Sequence, residues 1–165
     1  MSAVEVDIAE AIKDELNTYD FGHSFKADRN YADVSTKLEV IDELTVHVVP
    51  WSAESNLEDR GELTSPVQTD VLIRKRFGMP AQETGSGEID ATEIDALMEL
   101  RQKIGEYFTP SQVTSQNGRR LAEQPNAVWI ETKTMAAYVR PHLRQFRQFT
   151  GWLRITYQIC RAAGS

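Results

Sequence analysis

Glu131, Thr132 and Lys133, read together with Asp70, are the most chemically suggestive combination in this sequence. An acid-x-lysine triplet on one strand and a carboxylate on another is how metal-dependent nucleases hold Mg²⁺ between two carboxylates while a lysine steadies the nucleophile. The interval from Asp70 to Glu131 spans a whole helix and two loops, longer than such sites use, and the same triplet is at home on a solvated strand face. The other reactive types are scattered. His23 falls in a turn, His47 in a strand and His142 beside Pro141, and no G-x-S-x-G turn presents a nucleophile to any of them. One cysteine and three dispersed histidines supply none of the paired spacings of a zinc site. Gly85-Ser86-Gly87 precedes a helix but lacks the Lys-Ser/Thr of a phosphate cradle, and reads as a linker. The expectation is a protein that is not an enzyme and needs no metal or cofactor.

With catalysis weakly marked, charge carries more of the functional signal. The net charge is −7, but it is unevenly spread. Residues 1–118 hold 10 Lys and Arg against 23 Asp and Glu, a balance of −13, while residues 119–165 hold 8 against 2, a balance of +6. An acidic body with a basic end is suited to binding nucleic acid through that end, or to binding copies of itself, basic part on acidic part. Free duplex DNA is the poorer partner, because the whole-protein field repels phosphate and no aromatic-basic recognition motif is present. The 165 residues are most simply one domain, 1–165, with 41% hydrophobic and 26% charged residues, ordinary for a globular protein. No apolar run approaches the length of a membrane span. Glu5, Asp7 and Glu10 stand where a signal peptide would be basic and then apolar. The lone Cys160 fits a reducing compartment such as the cytoplasm.

The elements that must position these groups follow from periodicity. Ile8, Ile12 and Leu16 recur every four residues and predict a helix over 6–17. Strands are expected at 24–31, at 44–49 closed by Pro50, and at 67–77, where Leu72 breaks the alternation. The second and third form a long hairpin over 44–77, with a polar, acidic loop at 51–66. A helix over 90–108 opens with Asp90 as N-cap, Glu93 at N3, and Ile89 and Ile94 as a hydrophobic staple. A loop over 109–127 leads to a short strand at 127–133. Residues 135–149, interrupted by Pro141, read as an edge strand running out into a basic connection that carries Arg140, Arg144 and Arg147. The cleanest alternation is last. Phe149, Leu153, Ile155, Tyr157 and Ile159 share one face of a strand, and Thr150, Trp152, Arg154, Thr156 and Gln158 share the other. The fold class is therefore α+β, a mostly antiparallel sheet with two main helices packed on one face. Trp152 and Arg154 are large groups to leave on a wet face and suit an interface.

Taken in order, the chain runs helix, strand, a hairpin ending in V-H-V-V-P and V-Q-T-D-V-L-I-R-K-R-F, a capped helix, a loop, a Y-V-R-P-H-L segment and a closing F-T-G-W-L-R-I-T-Y-Q strand. This order, from Val6 to Ile159, resembles the tail-terminator (tail-completion) proteins of long-tailed bacteriophages, and more loosely the head–tail neck proteins. The resemblance implies a virion protein of the tail or neck, made in the host cytoplasm. It would form a homo-oligomeric ring, a hexamer, that caps the tail-tube protein and docks to the neck or head-completion protein. DNA would pass through the lumen without being read, and an acidic lumen would let it slide. A neck adaptor facing the portal is the alternative, and an unrelated cytoplasmic binding domain a third. A ring needs two unlike surfaces on each subunit. The expected contacts are Arg140, Arg144, Arg147, Trp152 and Arg154 on the basic side, and Glu54, Glu58, Asp59 and Glu62 on the loop side.

Overall fold

In a computed structural model of the protein, residues 3–31, 43–53, 56–58, 62–77, 90–110 and 118–162 are described, with 56–58, 62–63 and 161–162 described through their backbone alone. The elements are α1 (Val4–Thr18), β1 (Ala27–Arg29), β2 (Thr45–Ala53), β3 (Asn56–Glu58), β4 (Glu62–Arg76), α2 (Ala91–Phe108), β5 (Ala127–Ala136), α3 (Arg140–Phe146) and β6 (Gln148–Ala162). The described strands form one sheet in the order β1-β2-β4-β6-β5, with β3 folded onto β4. Among the described strands only the β1–β2 pair is parallel, so the α+β class with a mostly antiparallel sheet holds. The closing strand β6 lies between β4 and β5, where its β-branched and aromatic residues belong.

Both long helices cover one face. The stripe Ile8, Ala9, Ala11, Ile12 and Leu16 of α1 is buried over β1, β2 and β4. Leu97, Leu100, Ile104 and Phe108 of α2 are buried over β6 and β5. On that one face they meet Val46 and Val48 of β2, Val71 and Ile73 of β4, and Phe149, Leu153, Ile155 and Tyr157 of β6. Asp90 caps α2 by accepting a hydrogen bond from the Thr92 backbone N–H at 2.9 Å. The Ile89 half of the expected staple lies outside the described residues, as do the Gly85–Gly87 linker and 111–117 of the expected loop. At the other end of α1, the Asn17 side chain accepts from the Ala27 N–H (2.8 Å) and donates to its carbonyl (3.0 Å). That amide stands in for a neighbouring strand at the edge of β1. Gly118 is required by its backbone: with φ at 76°, an added Cβ would stand 2.6 Å from the Trp129 ring and 2.9 Å from the Phe108 carbonyl.

Four regions depart from the sequence expectation. The strand expected over 24–31 is confined to Ala27–Arg29, because β2 offers it a parallel partner only over Val46–Val48. Pro50 does not close β2, which continues to Ala53. The Asn30 N–H reaches the Val48 carbonyl (3.0 Å), so Pro50, of the same parity, turns its missing N–H to the side where β1 has already ended. Residues 140–146 are a helix rather than part of an edge strand. Pro141 sits in its first turn, where a missing N–H costs nothing and a fixed φ helps. The expected 51–66 loop is likewise largely strand: the end of β2, all of β3 and the start of β4.

Candidate functional site

The sheet face turned away from α1 and α2 is the region where chemically capable side chains gather. Strand alternation delivers Asp70, Leu72 and Arg74 from β4 and Thr150, Trp152, Arg154 and Thr156 from β6 to that face, opposite the core residues of the same strands. The cross-strand register aligns them in rows. Val49, Asp70, Arg154 and Lys133 form one, and His47, Leu72, Trp152 and Ala136 the next. Leu72, the break in the alternation, is buried here, apart from the core beneath the helices.

Arg154 is the centre of the face. Its Nε donates to Asp70 Oδ1 at 2.7 Å and its Nη2 to Oδ2 at 3.1 Å, a bidentate fork. The Asp70 side chain is only 4% exposed, so the pair is one from which neither partner can be withdrawn cheaply. The same guanidinium stands 4.7 Å from the Trp51 ring centre and 5.7 Å from that of Trp152. Two cation–π contacts and a buried carboxylate hold it in place on this face. Trp51 reaches this position through a β-bulge between Pro50 and Ser52, which puts Trp51 and Ser52 together opposite Gln68. Ser52 and Gln68 are themselves hydrogen-bonded at 3.0 Å. The outer side of the stack is wet, Trp51 being 53% exposed.

One end of the face is covered by α3. The Val139 N–H donates to the Thr150 carbonyl at 2.9 Å, and His142 Nδ1 lies 2.9 Å from Thr150 Oγ1. Burial, followed by the charge of Arg74, pushes the His142 pKa down, so the neutral ring is the one that fits. The helix closes on Arg147 in the left-handed region, φ 51° and ψ 38°, whose carbonyl accepts the Phe77 N–H at 2.8 Å. Arg140 and Arg144, one turn apart, are both exposed. The fold thus brings Arg140, Arg144, Arg147, Trp152 and Arg154 to one face and its α3 end. Of the acidic set, Glu54 and Asp59 lie outside the described residues. Glu58 and Glu62 are placed by backbone alone, opposite one another in the β3–β4 pair.

The acid-x-lysine arrangement does not assemble. Glu131 and Asp70 lie on β5 and β4 with β6 between them, two inter-strand steps or roughly 10 Å apart. They also stand in different rows, and both Asp70 oxygens are engaged by Arg154. Among the described residues no group of three or more His, Cys, Asp or Glu side chains is placed to hold a metal ion. No helix among them is long and apolar enough to cross a membrane.

Sequence reasoning missed Trp51 and the role of Asp70. Trp51 follows Pro50 and reads as the start of a loop, and its only signal was an aromatic residue in an otherwise polar segment. A second feature, also unmarked, is an aromatic cleft of about 510 Å³ where α1 and α2 end, lined by Tyr19, Phe21, Lys103, Glu106, Tyr107 and Arg119 among others. Arg119 lies 3.9 Å over the Tyr107 ring, and the Tyr107 hydroxyl donates to Glu15 at 2.8 Å. Burial, followed by that carboxylate, pushes the Tyr107 pKa up to about 12. Glu15 also accepts the Ala122 N–H at 3.1 Å, and Tyr157 donates to the Arg119 carbonyl at 2.6 Å. These bonds tie the segment after α2 to the core. No protein-family model matches the sequence, and no curated protein matches it.

Proposed function

We propose that this chain is a self-assembling structural subunit of a long-tailed phage virion, the tail terminator, whose ring caps the tail tube and joins it to the neck. The observation that carries the reading is the open face: a sheet covered by long helices on one side presents Trp51, Trp152 and Arg154 on the other, beside the cations of α3. Trp and Arg are the residues most enriched in the energetic centres of protein interfaces. A reaction centre is not needed for this role, and the geometry that supports it is one of surfaces. The resemblance itself rests on the chain's element order, from an N-terminal helix through the hairpin to the closing strand. In this reading the ring is a hexamer, its partners are the tail-tube and neck proteins, and DNA passes through its lumen unread.

Negative-stain imaging of the purified protein, alone and mixed with tail tubes, tests the proposal. Rings about as wide as the tube and seated at one tube end support it. Decoration along tube walls, or no association with tubes, contradicts it.

A further inference from the structure

The charge split has a structural address, because the two layers of the molecule carry opposite signs. The helical layer is acidic. Within it, α1 spends its carboxylates internally: Glu10 pairs with Lys13 and Arg29, and Glu15 holds Tyr107 and the Ala122 backbone. The α2 helix differs. Asp95, Glu99 and Glu106 are exposed on its outer side, with Lys103 bridging Glu99 at 3.0 Å at the surface. The opposite layer, the open sheet face, carries the Arg154–Asp70 pair at its centre and Lys133 beside Glu131 on β5, and among the described residues its unpaired excess of positive charge comes from Arg140 and Arg144 at the α3 end.

Resting on the self-assembly reading above, we propose that the occupant of the open face is the outer surface of α2 from a second copy of this chain. Arg140 and Arg144 are one helical turn apart, about 6 Å along the axis, and so are Asp95 and Glu99. The two pairs therefore match in spacing as well as in sign. The Trp51–Arg154–Trp152 stack supplies the desolvated centre, and the charged pairs form a rim that fixes orientation. Each copy offers its face to one neighbour and its α2 to another, the head-to-tail arrangement from which rings close.

Four proteins test this by mass photometry across concentration: the wild type, Arg140→Glu/Arg144→Glu, Asp95→Lys/Glu99→Lys, and the combined quadruple variant. All four positions are exposed, so circular dichroism should match the wild type, and thermal melting should fall only slightly, in the variants that replace Glu99 and so lose its pair with Lys103. The expected result is that each double variant weakens assembly on the order of tenfold or more, because like charges then face each other. The quadruple variant, with both signs reversed, recovers to near the wild-type level. If the wild type assembles and the double variants assemble equally well, this contact is wrong while self-assembly stands. If only the arginine variant fails, or the quadruple stays dissociated, the open face takes a different surface and the proposal is overturned. A wild type that is monomeric at every concentration overturns the self-assembly reading and this contact together.

Discussion

The two faces of the sheet come from the same strands by alternate residues, yet they are built on different physics. Beneath α1 and α2, β4 and β6 contribute Val71, Ile73, Phe149, Leu153, Ile155 and Tyr157, a dry layer in which stability follows apolar area removed from water. On the open side they contribute Asp70, Arg74, Thr150, Trp152, Arg154 and Thr156, and much of this polar set is buried as well. Buried polar groups stabilise only while every partner is present. The covered face therefore sets whether the chain folds. The open face holds a shaped, charged surface in place once it has folded.

The difference can be broken hardest on the covered side. Phe108 is fully buried, and Phe108→Ala should cost about 3–5 kcal/mol in chemical denaturation, with any remaining folded protein assembling as before. On the open side, Arg154→Met strands the Asp70 carboxylate. Because the Arg154 side chain is 16% exposed, the expected cost is smaller, about 2–3 kcal/mol, and the double variant Asp70→Leu/Arg154→Met should recover most of it. Stability restored without assembly restored would separate the two roles cleanly. Equal damage in single and double variants would mean that the pair is not the element holding this face.

A smaller effect of opposite sign is expected at Arg147. Its left-handed backbone is strained for any residue with a Cβ, so Arg147→Gly should stabilise by about 0.5–1 kcal/mol in the same assay. A loss of stability there would show that the arginine side chain outweighs the backbone strain. The slightest change is a slope with pH. His142 has a lowered pKa in the folded protein, so the unfolded chain binds its proton more readily. Its contribution is fully present above the unfolded value of about 6.5 and is lost as pH falls through the folded value. Comparing wild type with His142→Gln from pH 7.5 to 5 should show a shallower acid loss in the variant.

The covered face was legible in the sequence because its signals are local. The four-residue spacing of Ile8, Ile12 and Leu16, the Asp90 cap and the alternation of 149–159 each need only a few neighbours to be read. The open face was half legible. Trp152 and Arg154 stood out by type and parity, and Arg140, Arg144 and Arg147 by charge. What they touch depends on register across three strands. Asp70 and Trp51 are separated from Arg154 by 84 and 103 positions, and no local pattern encodes such pairings. The α3 helix was hidden for another reason: Pro141 reads as a breaker unless it is known to occupy a first turn.

The most direct measurement of the open face's role is hydroxyl-radical footprinting, read by mass spectrometry, of dilute and assembled protein. Trp51 and Tyr31 are both well exposed in the single chain, at 53% and 68%, and only Trp51 belongs to the open face. If that face is the assembly surface, Trp51 loses most of its reactivity on assembly while Tyr31 keeps its own. Assembled protein in which Trp51 remains as reactive as in the dilute chain would contradict the account.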